Sequence, residues 1–178
     1  MGETAMEYRE YIHMPLTPRD MRWGLRQGAI AGIVAGIVFA AFEMIVSAAM
    51  MGAEAFFMPL RMIGAIALGA EALDPGYSLL TAGIAGLIVH MVLAIIYGVI
   101  FGEIGAALRG PVAFIGAGSI FGLVLWLINF YVIAPILFPW FLDANPLVQF
   151  IAHTFFFGAV LGYYLWKSHQ RSGLEQPL

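Results

Sequence analysis

The sequence predicts an all-α membrane protein: four transmembrane helices in an up-down bundle, with a short interfacial or re-entrant helix between the first and second spans. Three observations carry that expectation. Apolar residues make up 62% of the chain and charged residues 11%, whereas charged residues alone take about a quarter of an ordinary soluble domain. The apolar residues are gathered into four runs, each near or above the length that crosses about 30 Å of hydrocarbon. Nothing resembles the short in-out alternation of a membrane barrel, so each run must satisfy its backbone as a helix.

The first span covers 25–51, after a tail at 1–24. It is longer than the apolar part of a signal peptide, and Glu3, Glu7, Glu10 and Asp20 accompany the arginines ahead of it, so it reads as a retained helix. Thr17 and Pro18 mark a helix start, the former as N-cap and the latter in the first turn. The next connection is the longest. Its apolar piece from Met62 to Leu68 is too short to span, so the segment 56–73 reads as an interfacial or re-entrant helix starting near Pro59. The remaining spans lie at 79–101, 112–138 and 147–166, closing a transmembrane domain of 25–166 before a tail at 167–178. Their connections, "GEIGAALRGP" and "PWFLDANP", are short and rich in Gly or Pro, which makes the neighbouring helices antiparallel.

Orientation follows from the basic residues. Arg9, Arg19, Arg22, Arg26, Arg109, Lys167 and Arg171 fall on one side of an even number of spans and only Arg61 on the other. The positive-inside rule then puts both termini in the cytoplasm, with a bacterial inner membrane as the expected location. Tyr97, Tyr163, Tyr164 and Trp166 cluster at the inner ends of spans and Phe138, Trp140 and Phe141 at an outer end, as interfacial aromatics do. A net charge of -3 gives no reason to expect nucleic acid, and the absence of cysteine excludes disulfides and thiolate metal sites. The expected partners are the lipid bilayer and other membrane subunits or further copies of the chain.

Small residues indicate where the helices approach. Gly28, Gly32 and Gly36 recur at four-residue steps in the first span, Gly118 and Gly122 in the third, and Gly158 and Gly162 in the fourth. Lipid supplies no hydrophobic drive between helices, so such stripes serve close backbone packing. All three stripes lie in the half nearest the termini, while Phe42, Trp126, Phe130 and Phe155 hold the other half further apart. Two sequence echoes suggest a duplicated hairpin: Ala31, Gly32, Gly36 and Glu43 match Ala117, Gly118, Gly122 and Asn129, and "LIVH" ending at His90 matches "FIAH" ending at His153.

The rare polar residues fall in one layer: Glu43, His90, Asn129 and His153, one from each span. A charge at that depth costs about 2.5 to 3.5 kcal/mol, so Glu43 needs a partner or a purpose. Arg61 is its candidate ion-pair partner, with a lipid phosphate as the other candidate for Arg61. The layer can act as interhelical hydrogen-bonding glue. Alternatively, His90 and His153 can ligate haem b, or with Glu43 a transition metal. A third role is a small proton-coupled transporter using Glu43, because ionisable groups inside membranes mark proton and solute paths. No nucleotide loop, "HExxH" or "GxSxG" occurs, so an enzyme is not expected. His13 and His169, in the tails, read as solvated. With little outside the bilayer, the chain is expected to be an accessory or assembly subunit of a larger membrane complex, such as a bioenergetic one.

Overall fold

The structure, a computed structural model, describes residues 18–172. The Thr17 cap and His13 lie outside the described residues. Among those residues all regular structure is helical: α1 (Pro18–Met51), α2 (Met58–Leu68), α3 (Leu79–Gly105), α4 (Gly110–Leu137) and α5 (Pro146–Ser172), with short 3-10 turns between them. Four helices, α1, α3, α4 and α5, are long and apolar enough to cross a membrane. Their outer surface is apolar too. Leu80, Val112 and Ile136 are 73%, 85% and 74% exposed, an arrangement suited to lipid as solvent.

Local chemistry sets the ends of the elements. Gly52 and Gly69 adopt φ of 102° and 92°, a left-handed region that glycine enters without strain, and they terminate α1 and α2. Ser78 caps α3 by accepting from the Thr81 amide, and Asn145 caps α5 by accepting from the amides of Leu147 and Val148. Pro59, Pro111 and Pro146 each sit at the start of a helix, where a missing N–H costs nothing. The first and last long helices run beyond the expected spans into both tails.

Two features of the backbone were not foreseen. The helix α4 widens into π geometry over Asn129–Ile133, and α5 does so over Ala152–Ala159. In α4 the cause is Pro135, whose ring cannot donate to, and crowds, the carbonyl four residues back. In α5 the His153 ring Nδ1 donates to the Gln149 carbonyl at 2.8 Å. A regular helix would reserve that oxygen for the His153 amide, so the side chain competes with the ladder.

The helices pack as two glycine-lined pairs. A Cβ built on Gly28 would collide with the Gly98 carbonyl oxygen, one on Gly32 with that of Ala94, and one on Gly102 with that of Gly24, so α1 and α3 touch backbone to backbone in opposite directions. The second pair repeats this. Gly118 meets the Gly158 carbonyl, Gly122 that of His153 and Gly162 that of Phe114, joining α4 to α5. Between the pairs, α1 packs on α5 through Trp23 against His169, Phe39 against Phe157 and Phe42 stacked on Phe156. In contrast, α3 and α4 are joined by the short turn 106–109 yet make little direct contact. Beside that gap α2 lies against the first half of α3, with Gly64 at the Ala82 carbonyl and Gly86 at the Leu60 carbonyl. Trp140 Nε1, from the connection between α4 and α5, donates to the Met62 carbonyl at 3.1 Å and ties that connection to α2.

His169 corrects an expectation. It is completely buried against Trp23 and Phe114, with ring centroids 5.2 and 5.4 Å away, and is not solvated. The reason is that α5 continues to Ser172, so the turn carrying His169 still faces the bundle.

Candidate functional site

A stripe of buried residues at four-residue steps runs along α1: Ala31, Ala35, Phe39, Glu43 and Ser47. Residues four apart share a helix face, so the stripe changes from small to polar as it leaves the glycine-packed half. There the helices part, and a cavity of about 800 Å³ opens between α1, α2, α3, α4 and α5. Glu43, His90, Asn129 and His153, one from each long helix, all line it. Met51, Asp143 and Asn145, exposed residues at the end away from the chain termini, line it too.

Each polar group is held by a neighbour. The Gln149 side-chain amide donates to Glu43 Oε2 at 2.8 Å, linking α5 to α1. His90 Nε2 donates to the Gly36 carbonyl at 2.8 Å, an acceptor within reach because Gly36 has no side chain. Tyr97 Oη donates to Asn129 Oδ1 at 3.4 Å and bridges the gap between α3 and α4. Phe39 packs against both imidazoles, stacked on His90 at 5.6 Å and edge-on to His153 at 4.8 Å. With each ring N–H directed to a carbonyl, the second nitrogen of a neutral imidazole is an acceptor.

Two pairings expected from the sequence do not form. Arg61 donates to the Tyr77 carbonyl at 2.6 Å, while Glu43 is bonded to Gln149. The turn of α2 that carries Arg61 faces the start of α3, and Arg61 is not among the cavity-lining residues. The metal expectation also fails on geometry. Glu43, His90 and His153 line one cavity, yet among the described residues no three His, Asp or Glu side chains form a group that could hold a metal ion. For haem, the shared neighbour of the two imidazoles is the Phe39 ring.

Sequence reasoning missed Gln149, Ser47 and Tyr97. Gln149 left a readable signal: it is the one polar side chain between Pro146 and His153, four residues before the histidine and therefore on the same face. Tyr97 left none, because a tyrosine near a span end ordinarily marks the interface.

No protein family matches the chain, and neither a curated protein nor a solved structure is similar to it.

Proposed function

We propose that this chain is a small membrane-embedded binding protein and carrier for a lipophilic molecule, which it takes into the cavity beside Glu43. The observation behind this conclusion is the asymmetry of the bundle. Glycine contacts seal one half, while about 800 Å³ stands open in the other at the depth of the ionisable residues. Ligand sites are concave and largely apolar with a few placed polar groups, which is the character of this lining. A subunit that served only by packing would gain more from filling such a space.

In this proposal the bundle runs up and down with both termini cytoplasmic in a bacterial inner membrane, as the placement of arginine and lysine supports. The cavity then opens outward, and α2 is a re-entrant helix forming one wall. Closing the outer half and parting the inner one would give alternating access, with Glu43 available to couple transport to protons. An accessory role beside further subunits has only the exposed apolar faces in its favour, and lipid covers those equally well.

The test is saturable binding of a neutral apolar fluorophore, N-phenyl-1-naphthylamine, to the protein in nanodiscs, measured against empty nanodiscs. Leu93→Trp and Ala134→Trp, on different walls of the cavity, should each weaken binding by about fivefold or more. Binding indistinguishable from empty nanodiscs, or insensitive to both substitutions, would refute the proposal.

A further inference from the structure

Acidic and strongly basic side chains are placed unevenly around the cavity. Two acidic side chains, Glu43 and Asp143, contribute to it, and among the described residues no lysine or arginine does. Two imidazoles, His90 and His153, line it as well, while Arg61 is turned to the Tyr77 carbonyl, and Lys167 and Arg171 line a separate, smaller cavity at the terminal end. Within the carboxylate of Glu43 the two oxygens differ. Oε2 accepts from Gln149, whereas Oε1 is buried and has no hydrogen-bond partner among the described residues, in a residue only 7% exposed. A buried acceptor left in that condition is costly unless something fills it.

The remaining walls suit the same kind of guest. Phe39, Phe130, Phe138, Trp140 and Phe141 line the cavity, and aromatic faces attract cations through their quadrupole. Met44, Met50, Met51, Met58 and Met62 line it too, and thioether chains adapt their shape to irregular apolar bodies.

We infer that the ligand is a lipophilic cation: an apolar, preferably aromatic, body bearing one positive centre that lies beside the Glu43 side chain. This inference rests on the binding role proposed above and names its substrate class. The body occupies the Met- and Phe-lined volume, and its positive charge is attracted by the Glu43 carboxyl and the aromatic faces around it. Asp143, exposed on the rim, supplies the first attraction.

Tetraphenylphosphonium and tetraphenylborate share size and shape and differ in the sign of their charge, so they separate charge recognition from cavity filling. Binding is measured in nanodiscs of zwitterionic lipid, each ion against empty nanodiscs. The wild-type protein should prefer the phosphonium by about tenfold or more. Glu43→Gln, which keeps shape and one acceptor, should bring the ratio of the two affinities close to one. Asp143→Asn, outside the bundle, should lower the association rate of the phosphonium and leave the fold unchanged. Equal affinity for the two ions, tighter binding of the borate, or a preference unchanged in Glu43→Gln would overturn the inference. Should the neutral fluorophore bind while the ions are not distinguished, the binding role stands and only the charge assignment falls. If no probe binds, both fall.

Discussion

The Gln149 amide lies 2.8 Å from Glu43 Oε2, so α5 supplies the hydrogen bond that keeps a carboxylate on α1 at membrane depth. Removing the amide leaves Glu43 buried with neither oxygen paired. Gln149→Leu should therefore destabilise the protein by about 1–3 kcal/mol, measured by unfolding in mixed micelles. Adding Glu43→Leu should recover much of the loss, because the double variant leaves no orphaned polar group. Strictly additive effects of the two changes would refute the pairing.

The glycine seams predict a contrast within one residue type. Gly98→Ala sets a methyl against the Gly28 carbonyl, and Gly118→Ala sets one against that of Gly158. Each should cost about 1–3 kcal/mol, since backbone has to move. At Gly116 nothing lies within 4 Å of the added methyl. There Ala should be neutral or stabilise by roughly 0.5–1 kcal/mol through helix propensity. Thermal unfolding midpoints in one detergent compare all three, and equal shifts would contradict the packing.

Burial of His169 between Trp23 and Phe114 fastens the end of α5 to the beginning of α1. His169→Ala should lower stability by on the order of 2 kcal/mol, while His169→Phe should retain most of it. The void left by His169→Ala should also raise protease cleavage near Ser172. A wild-type melting temperature in His169→Ala would show that the contact carries no weight.

The absence of native cysteine makes topology directly testable. Asp74→Cys and Asn145→Cys should react with a membrane-impermeant maleimide from one side of the membrane, and Arg109→Cys and Lys167→Cys from the other. If the positive-inside orientation holds, the first two label in intact cells. Val148→Cys, on the cavity wall, should label with that first pair, whereas Ala35→Cys, with no exposed surface, should not label from either side. Labelling of Asn145→Cys and Arg109→Cys from the same side would contradict the arrangement of spans.

Much of the site could be read along the chain, and the limits were physical. Glu43, His90, Asn129 and His153 stand out because a polar side chain in an apolar run is costly wherever the run ends up. The assignment of Arg61 to Glu43 failed because pairing depends on which way a short helix turns, and that direction is set by Gly64 and Gly86 bringing α2 onto α3. The burial of His169 is hidden from hydropathy because the polar last turn of α5, up to Ser172, continues the helix beyond its apolar run. The π segments arise from interactions with a carbonyl four residues back, Pro135 in α4 and His153 in α5, which composition does not reveal.

By itself the amino-acid sequence determined that the chain holds four apolar helices suited to a bilayer, because burial in hydrocarbon sums over residues and needs no knowledge of neighbours. It also determined which few polar groups are carried to depth. Only the tertiary structure decided that those groups face a common cavity, and that Gln149 rather than Arg61 reaches Glu43. Contact depends on how two helix faces are rotated against each other, and that rotation is set by backbone-to-backbone packing at Gly28, Gly98, Gly118 and Gly158.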